Sequence, residues 1–317
     1  MTVEPLISVV MSVYNGAMYL EASIDSVLAQ TFTQYEFIIC DDGSTDETAS
    51  ILNNYDDPRI IIIENAKNLG LSRSLNRCIA VSKSIIIARQ DADDLSNINR
   101  LQVQYAILED HPEVGVLASA VQWIDDQSKI IKIWPSGDDN PTIQEKLLYT
   151  CPIIHGSVMF RRRYFEEAGG YNEEMKTGQD YDLWLRISET SEIVCLPDVL
   201  YTYRQHAQMV SEKRREEQSL FAQNSLSLAI ERRLRNTLSY LGFSRYSLPP
   251  NWQGLERHEL SRRLVRWSAG ARSIRRTLAL QFLLLSLIID PFSQEARDYL
   301  AGIWKRKIQP RHQSSAK

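Results

Sequence analysis

Hydrophobic and polar positions follow two different periods along the first third of the chain. Short apolar runs predict buried strands at Leu6–Val13, Tyr35–Cys40, Ile60–Ile63 and Ser84–Ala88. Between these runs, apolar residues recur three and four positions apart, which predicts helices, the clearest of them over Leu71–Val81. Strands that are apolar throughout and alternate with helices indicate a mostly parallel sheet with helices on both faces. We therefore expect an α/β fold in which ligands bind at the carboxyl ends of the strands.

The middle of the chain has a less regular pattern. It predicts a helix over Ile98–Asp110, a strand over Val114–Val121, a loop over Trp134–Pro141, a short strand over Ser157–Phe160 and a helix over Tyr181–Thr190. From about Ser211 onward, the pattern is helical almost throughout. The pattern therefore divides the chain into an α/β part and a helical C-terminal extension.

Length and composition favour an ordinary globular protein. The chain has 317 residues, of which 44% are hydrophobic and 24% are charged, and this length suits about two average domains. The N-terminal residues Met1 to Pro5 have neither the basic start nor the long apolar run of a signal peptide. The longest apolar stretch, Leu278–Ile289, is shorter than the roughly 20 residues that span a bilayer. We therefore expect a cytoplasmic protein without a transmembrane segment.

The four cysteines lie far apart in the sequence, at Cys40, Cys78, Cys151 and Cys195. Metal clusters and redox motifs need closely spaced pairs, so this spacing favours neither. Cys40 ends an apolar run, and we expect it to be a reduced, buried core residue. Reduced cysteines also suit a cytoplasmic protein.

Three of the predicted strands end in polar residues suited to a nucleotide. The three clusters are Ser12–Gly16, Asp41–Asp46 and Gln90–Asp94. A carboxylate at such a position can accept hydrogen bonds from ribose hydroxyls or from the imino group of a base. Two carboxylates two residues apart, as at Asp91 and Asp93, can converge on one Mg²⁺ or Mn²⁺ that also binds diphosphate oxygens.

Each of these clusters taken alone also has a structural explanation. Asp-Asp-Gly-Ser is a common turn composition, and an isolated Asp-x-Asp carries little information. No glycine-rich phosphate loop follows the first strand, which disfavours a dinucleotide-binding or P-loop protein. A nucleotidyltransferase would share the acidic strand ends but should open with a glycine-rich loop and a lysine, whereas this chain has Tyr14-Asn15-Gly16. The functional interpretation depends on the three clusters occurring together.

Four motifs in order resemble those of the family 2 inverting glycosyltransferases. The stretch Ile7 to Asp46 carries the Ser-Val-x-x-x-x-Tyr-Asn opening and the Asp-Asp-Gly-Ser-x-Asp turn of that family. The segment Ala88–Asp94 is similar to its metal-binding segment, and Gln179–Arg186 is similar to its catalytic-base segment. The resemblance covers about Pro5 to Ser211. Within the family, the chain looks most like bacterial enzymes of exopolysaccharide, capsule and O-antigen assembly.

The resemblance implies a role for each residue on the nucleotide side of the site. Ser12 and Tyr14 would line the base and the ribose, with Tyr14 near the uracil. Asp42 would accept a hydrogen bond from the base. Arg73, in the segment Asn68–Arg73, would approach the base or the diphosphate.

The resemblance also implies a metal site and a catalytic base. Asp91 would lie at the ribose or the metal, and Asp93 would bind a divalent cation, Mn²⁺ or Mg²⁺. His206 could reach the diphosphate or the metal from a C-terminal loop, although a structural role for His206 or His155 is an equal alternative. Asp180 would be the general base that removes the proton of the acceptor hydroxyl in a single displacement that inverts the anomeric configuration.

The fold implied by the resemblance is the GT-A nucleotide-diphosphosugar transferase fold. It would occupy residues 1–210, with a nucleotide-binding half at 1–110 and an acceptor-binding half at 111–210, followed by a helical extension at 211–317. The implied activity is transfer of a hexose or N-acetylhexosamine from a UDP-sugar to a glycan or lipid-linked acceptor in surface polysaccharide synthesis. The alternatives are a dTDP-rhamnose-dependent transferase and a catalytically silent, regulatory family member, which the retained catalytic aspartates disfavour. We expect no nucleic acid partner.

Charge is unevenly distributed along the chain. From Asn251 onward, 13 Lys and Arg against 5 Asp and Glu give a net charge of +8, and the overall charge of −4 leaves −12 for the rest. Six apolar residues of this segment form one helical stripe: Leu260, Leu264, Trp267, Ala271, Ile274 and Leu278. Six arginines flank the stripe: Arg262, Arg263, Arg266, Arg272, Arg275 and Arg276. The pattern favours binding of residues 257–290 to an anionic membrane surface at the inner face of the cell membrane, with packing against the catalytic domain or a partner chain as the alternative.

Overall fold

The structure is a computed structural model that describes residues 4–134, 136–206, 209, 215–240, 256–271, 276–291, 293–294 and 296–299. Its strands are β1 (Ile7–Val13), β2 (Tyr35–Asp41), β3 (Ile60–Glu64), β4 (Ile86–Arg89), β5 (Leu95–Ser96), β6 (Val114–Ile124), β7 (Ile130–Trp134), β8 (Met159–Arg161) and β9 (Glu192–Arg204). Its helices are α1 (Ala17–Leu28), α2 (Thr48–Asn53), α3 (Leu71–Val81), α4 (Arg100–Asp110), α5 (Asn140–Lys146), α6 (Arg162–Glu167), α7 (Gln179–Ile187), α8 (Arg215–Tyr240), α9 (Arg257–Ala271) and α10 (Arg276–Ile289). A 3₁₀ turn covers His155–Ser157.

One mixed sheet organises the first part of the chain. Its strands lie in the order β3-β2-β1-β4-β8-β6-β9-β5, and β7 pairs with β6. β1 is parallel to β2 and β4, and β2 is parallel to β3. β8 is antiparallel to both of its neighbours, β4 and β6, and β9 is parallel to β6. The predicted α/β fold is therefore confirmed, and β1, β2, β4, β6 and β9 all point their carboxyl ends to the same edge of the sheet.

Burial explains why the apolar runs form strands. Every residue of β2 is buried, and in β1 only Ser12 is partly exposed. The helices α1 and α4 bury Leu20, Ile24 and Leu101 in the same core cluster as these strands. Each fully buried side chain of this size stabilises the fold by about 1.5–3 kcal/mol. As predicted, Cys40 lies in this core as a free thiol.

A glycine fixes the turn after β2. Gly43 has a φ of +73°, and a Cβ atom at this position would lie 2.5 Å from the backbone carbonyl carbon of Lys67. Only glycine adopts this backbone conformation while also allowing so close an approach. The loop after β2 therefore packs directly on the loop after β3, which shapes the sheet edge where the site lies.

The first half of the fold follows the sequence predictions closely. The helix α3 has the predicted bounds, and β1, β2 and β3 agree with the predicted strands to within one residue. Farther along the chain, the strand predicted from Ser157 begins only at Met159, because His155–Ser157 form the 3₁₀ turn. The turn lies against Tyr201 and Asp91.

Two parts of the second half correct the sequence predictions. The predicted loop over Trp134–Pro141 contains the end of β7 and the beginning of α5, and β9 was not predicted. All five residues of β7 are exposed, so the strand lacks the alternation of buried and exposed positions that marks a half-buried strand. β9 contains Pro197, and its pairing with β6 is interrupted by register shifts. Such interruptions remove the regular period from the sequence.

The chain divides into two compact units. The first comprises Met1–Leu147 and Cys151–Ile230, and the second comprises Leu148–Thr150 and Glu231–Lys317. The first unit thus extends past residue 210, where the sequence predicts a boundary. No helix among the described residues is both long enough and apolar enough to cross a membrane.

The second unit buries part of the predicted apolar stripe. Leu260, Leu264 and Trp267 are buried. The Trp267 ring packs 5.8 Å from the Phe282 ring, and the guanidinium of Arg233 lies 4.9 Å from the Trp267 ring centre. Ile274 and the side chains of Ala271, Leu278 and five of the six flanking arginines lie outside the described part of the chain, and Arg262 is exposed. The exposed apolar positions of α10 are Leu280, Leu284 and Ile288.

Candidate functional site

The carboxylate of Asp42, at the end of β2, is almost completely engaged by the protein. Its Oδ1 accepts hydrogen bonds from Nδ2 of Asn65 at 2.6 Å and from the backbone N–H of Leu69 at 2.8 Å. Its Oδ2 accepts from the N–H of Gly70 at 2.9 Å. The residue is 2% exposed. Asp42 therefore holds the loop before α3 against the end of β2, and its predicted bond to a nucleotide base stays a prediction.

The end of β1 supplies the predicted base-side residues Ser12 and Tyr14. Ser12 is partly exposed, and Tyr14 is 48% exposed. The next residue, Asn15, has a φ of +51°, a left-handed conformation that asparagine tolerates. Its Oδ1 accepts from the N–H of Thr45 at 2.8 Å, and its own N–H donates to Oγ of Ser44 at 2.9 Å. These bonds join the loops after β1 and β2 and leave the Tyr14 ring accessible.

Arg73 lies on the first turn of α3 and forms an exposed ion pair. Its Nε is 3.3 Å from Oε2 of Glu173, and its Nη2 is 4.0 Å from Oε1 of Glu174. The Arg73 side chain is 46% exposed, so the pair contributes little to stability. Because the pair is weak, an anionic ligand could displace Glu173, and the predicted contact with base or diphosphate stays a prediction.

A buried arginine that sequence analysis missed holds Asp91. Arg89, the last residue of β4, is fully buried, and its Nη2 donates to Oδ1 of Asp91 at 2.6 Å. Burial raises the pKa of Asp91, and the positive charge of Arg89 opposes this rise. The nearby Asp93 raises it further. The arginine was missed because a lone arginine at the end of an apolar run gives no sign of an internal ion pair.

Asp93 and His206 form the other half of this cluster. Oδ2 of Asp93 lies 2.9 Å from Nε2 of His206, a possible metal ligand by the family resemblance. The Asp93 side chain is 36% exposed and the His206 side chain 14% exposed. The ring of Tyr19 packs 5.0 Å from the His206 ring. The residues that follow β9 thus lie against the acidic segment Asp91–Asp94, which follows β4.

Arg204 joins the acidic segment to the rest of the sheet. Its backbone N–H donates to Oδ1 of the buried Asp94 at 2.7 Å, and its Nε donates to the carbonyl of Asp93 at 3.1 Å. Its Nη1 donates to the carbonyl of Asp125 at 3.2 Å and to Oγ of Ser128 at 3.0 Å, both in the turn between β6 and β7. Burial raises the pKa of Asp94 well above its usual value, and the charges of its acidic neighbours raise it further.

A second buried arginine, Arg100 on α4, supports the same segment from below. Its Nη2 donates to the carbonyls of Arg89 at 2.8 Å and Val158 at 3.1 Å. Its other bonds go to the side chains of Gln90, Ser96 and Gln104. Burial lowers the pKa of Arg100 to about 10. All five N–H groups of the guanidinium are hydrogen-bonded, so Arg100 has a structural role here and fixes the backbone at the end of β4.

The predicted base, Asp180, lies in the first turn of α7. The preceding Gly178 has a φ of +71°, and Asp180 retains partial solvent access. Burial raises the pKa of Asp180, hydrogen bonding by the backbone of Tyr181 lowers it, and the charge of Asp91 raises it. The 3₁₀ turn at His155–Ser157 lies against both α7, through Trp184, and Asp91, so the two carboxylates flank the same turn although they are far apart in sequence.

His155 begins the 3₁₀ turn that lies against Asp91. Its Nε2 is 2.7 Å from the hydroxyl of Tyr171, and its ring packs 6.1 Å from the ring of the buried Trp184. Burial lowers the pKa of His155 well below its usual value, and the charge of Arg89 adds to this effect. The lowered pKa favours the neutral form of the imidazole, which is hydrogen-bonded to Tyr171.

The 3₁₀ turn approaches this site closely because its middle residue is a glycine. A Cβ atom on Gly156 would lie 2.0 Å from the hydroxyl of Tyr201 and 2.8 Å from Oδ2 of Asp91. The Tyr201 hydroxyl in turn accepts from the backbone N–H of Asp91 at 3.1 Å. Because residue 156 is a glycine, the 3₁₀ turn can approach both Tyr201 of β9 and Asp91.

The donor set fits a divalent cation that is completed by its substrate. Within the described ranges, no three His, Cys, Asp or Glu side chains form a complete metal cage. Asp93 and His206 are a close carboxylate–imidazole pair, and Asp91 lies two residues from Asp93. Mg²⁺ usually takes only one or two carboxylates from the protein and fills its shell with water and phosphate oxygens. The residues present therefore suit a cation that binds together with a diphosphate.

Comparison with known proteins places the chain in a family. Residues 8–169 match the family described as Glycosyl transferase family 2. The putative glycosyltransferase EpsE of Bacillus subtilis (strain 168) is 38% identical over 191 residues, which cover 58% of this chain and 67% of that protein. The match covers half of this chain, so the chain belongs to glycosyl transferase family 2.

Solved structures share the fold at low sequence identity. The S. aureus TarS fragment in complex with UDP-GlcNAc has a TM-score of 0.60 and 17% identity, with 93% of this chain and 92% of that chain covered. Mannosyltransferase PcManGT from Pyrobaculum calidifontis, in complex with GDP-Man and Mn²⁺, has a TM-score of 0.52 and 18% identity, with 96% and 88% covered. The chain therefore has the predicted GT-A fold and is a glycosyltransferase by family.

Proposed function

We propose that this family 2 glycosyltransferase transfers a hexose or N-acetylhexosamine from a UDP-sugar to a glycan or lipid-linked acceptor, with inversion of the anomeric configuration. The observation that carries the proposal is the gathering of Asp91, the Asp93–His206 pair and Asp180 at one edge of the sheet. A diphosphate leaving group needs positive charge, and an acceptor hydroxyl needs a base. The site offers residues for both needs on facing elements.

A divalent cation would be held by Asp93 and His206, with Asp91 at the cation or the ribose. When bound, it supplies the positive charge that neutralises a departing diphosphate. Arg89 keeps Oδ1 of Asp91 engaged at 2.6 Å, so Oδ2 is the oxygen left to face a ligand. On the base side, Ser12, Tyr14, Asp42 and Arg73 would surround the uridine, as the family resemblance implies.

Asp180 would act as the general base. Its partial solvent access leaves room for an acceptor hydroxyl, and α7 fixes its position because Leu183 and Trp184 are fully buried. A carboxylate removes a hydroxyl proton productively only as the attack on the anomeric carbon develops, so position matters more than the pKa. His155 and Tyr171, both neutral and hydrogen-bonded to each other, would exclude water beside it.

The best test of the donor is a panel of nucleotide sugars. Purified full-length protein would be incubated with UDP-, GDP- and dTDP-sugars in Mn²⁺, in Mg²⁺ and in excess chelator, and release of the nucleotide would be measured. Metal-dependent hydrolysis of UDP-hexose or UDP-N-acetylhexosamine supports the proposal. Hydrolysis of dTDP-rhamnose alone would favour the alternative donor, and undiminished turnover in excess chelator would reject the metal assignment.

We also propose that the basic end of the chain keeps the enzyme at the inner face of an anionic membrane. The net charge of +8 from Asn251 onward and the exposed Leu280, Leu284 and Ile288 of α10 support this proposal. Leu260, Leu264 and Trp267 are buried, so the apolar part of the proposed membrane contact is limited to the exposed residues of α10. Co-sedimentation with anionic and neutral vesicles at low and high salt would test it, and equal binding to both lipids would reject it.

A further inference from the structure

Three aromatic rings lie in a row across neighbouring strands at the carboxyl edge of the sheet. Tyr203 on β9 packs 4.7 Å from Trp123 on β6, and Trp123 packs 6.0 Å from Trp134 on β7, measured between ring centres. The two indole planes are nearly parallel, at 16°. Trp123 is the direct cross-strand partner of Tyr203. The row therefore extends for about two ring spacings along one face of the sheet.

The row lies on the same face of the sheet as the candidate site. Tyr201 and Tyr203 are two residues apart in β9, and alternate residues of a strand share a face. The Tyr201 hydroxyl accepts a hydrogen bond from the backbone N–H of Asp91. The row thus begins beside the acidic segment and leads away from it.

The outer end of the row is open. Trp134 is 43% exposed, and among the described strands β7 pairs only with β6. The ammonium of Lys132 lies 3.9 Å from the centre of the Trp123 ring and 5.4 Å from that of Trp134. None of the ion pairs between described residues includes Lys132. The row therefore presents, from the site outward, a ring, a ring covered by an ammonium group, and an exposed ring.

We infer that Tyr203, Trp123 and Trp134 form a track that binds an extended saccharide acceptor, and that Lys132 favours a chain that carries carboxylate groups. This inference rests on the proposed function. Sugar rings have apolar carbon faces that pack on aromatic rings, while their hydroxyl and carboxylate groups seek polar partners. A row of rings that begins beside the acidic segment after β4 suits a saccharide chain whose end reaches Asp180.

The two faces of β7 favour a saccharide over a lipid surface or a protein. The track face carries Trp134 and Lys132, whereas Ile133, which pairs with Gln122, lies on the opposite face of the strand. A lipid or protein contact would use the exposed isoleucine at least as much as the indole. A saccharide would contact only the face with rings and the ammonium group. Ile133, at 55% exposed, is therefore a matched control for Trp134.

The test uses full-length protein with disaccharides and hexasaccharides of hyaluronan, which are acidic, and of chitin, which are neutral. Binding would be followed by tryptophan fluorescence and by saturation-transfer NMR. We expect hexasaccharides to bind more tightly than disaccharides, because only the longer chains span the row. Trp134→Ala should weaken hexasaccharide binding about tenfold, and Trp134→Tyr should recover most of that loss. Lys132→Gln should weaken binding of the hyaluronan probe and reduce its salt dependence, with little effect on the chitin probe.

Three outcomes would overturn the track. They are no hexasaccharide binding by the wild-type protein, equal affinity for short and long probes, and equal losses from Trp134→Ala and Ile133→Ala. UDP binding by the wild-type protein is measured in the same preparations. Saccharide binding that fails while UDP binding persists counts against the track alone, and failure of UDP binding counts against the proposed function.

Discussion

The ends of β2 and β4 carry similar acidic residues, but Asp42 and Asp93 differ in burial and in the number of hydrogen bonds that their carboxylates accept. At the β2 end, Asp42 is 2% exposed and accepts three hydrogen bonds from Asn65, Leu69 and Gly70. At the β4 end, Asp93 is 36% exposed and its carboxylate meets only His206 among the described residues. The protein itself satisfies the carboxylate at the β2 end, whereas the proposed function assigns Asp93 at the β4 end to a cation and a substrate. Substitutions at the two ends should therefore separate stability from activity.

The largest effect on activity is expected at Asp93. Asp93→Ala should abolish transfer and weaken metal-dependent UDP binding, because it removes a proposed ligand of the cation. Its free energy of unfolding should change little, because the side chain is partly exposed and is not needed to hold the backbone. Nucleotide release, UDP titration and urea denaturation would be measured on the same sample. A large loss of stability would mean that the β4 end is structural after all.

The next effect is expected across the site, at Asp180. Asp180→Asn should keep UDP-sugar affinity and reduce transfer on the order of a hundredfold or more. Because the base acts only when ionised and its pKa is raised, wild-type transfer should be lost, as pH falls, at a higher pH than for an ordinary aspartate. Product analysis should show the inverted anomer. A retained configuration would reject the single displacement.

At the β2 end, the dominant effect should be on stability. Asp42→Ala leaves three hydrogen-bond donors without their acceptor, and the expected loss is about 2–4 kcal/mol in the free energy of unfolding. Urea denaturation of this variant beside Asp93→Ala measures the difference directly. If both variants lose the same stability, the distinction between the two ends is wrong.

The smallest effect concerns pH and His155. Its folded-state pKa lies well below the ordinary value of 6.5, so below pH 6.5 the unfolded chain binds a proton that the folded chain does not. Stability should therefore fall as pH drops from 6.5 toward the folded-state pKa, by at most about 1.4 kcal/mol per pH unit for one proton. His155→Gln should remove this part of the pH dependence in urea denaturation. An unchanged slope in the variant would show that the imidazole is protonated in the folded state.

The sequence predicts some strands of the sheet well and others not at all. Near-continuous apolar runs predict β1, β2 and β3, and β1 and β2 are buried almost throughout. The sequence does not predict β7 or β9. All residues of β7 are exposed, and register shifts interrupt the pairing of β9, so neither strand has a regular alternation of apolar and polar residues. Tertiary contacts, and not local pattern, decide those elements.

Motifs located the acidic residues but not what holds them in place. Asp91, Asp93, Asp180 and His206 were named from the sequence, and the structure brings them to one edge of the sheet. Arg89 and Arg100 were not named, because nothing in a single sequence distinguishes a buried arginine from an exposed one. Three-dimensional proximity was likewise needed to connect Tyr203, Trp123 and Trp134.

The guanidinium of Arg204 has a consequence for the length of the acceptor. It donates both to the carbonyl of Asp93 and to the turn between β6 and β7, at Asp125 and Ser128. One rigid, planar group thus fixes the distance between the backbone at Asp93 and the hairpin that carries Trp134. If the hairpin binds the acceptor chain, the distance from the bound sugar units to Asp93 is the same for every acceptor. Growth by one sugar would then require the whole chain to advance by one unit before the next transfer.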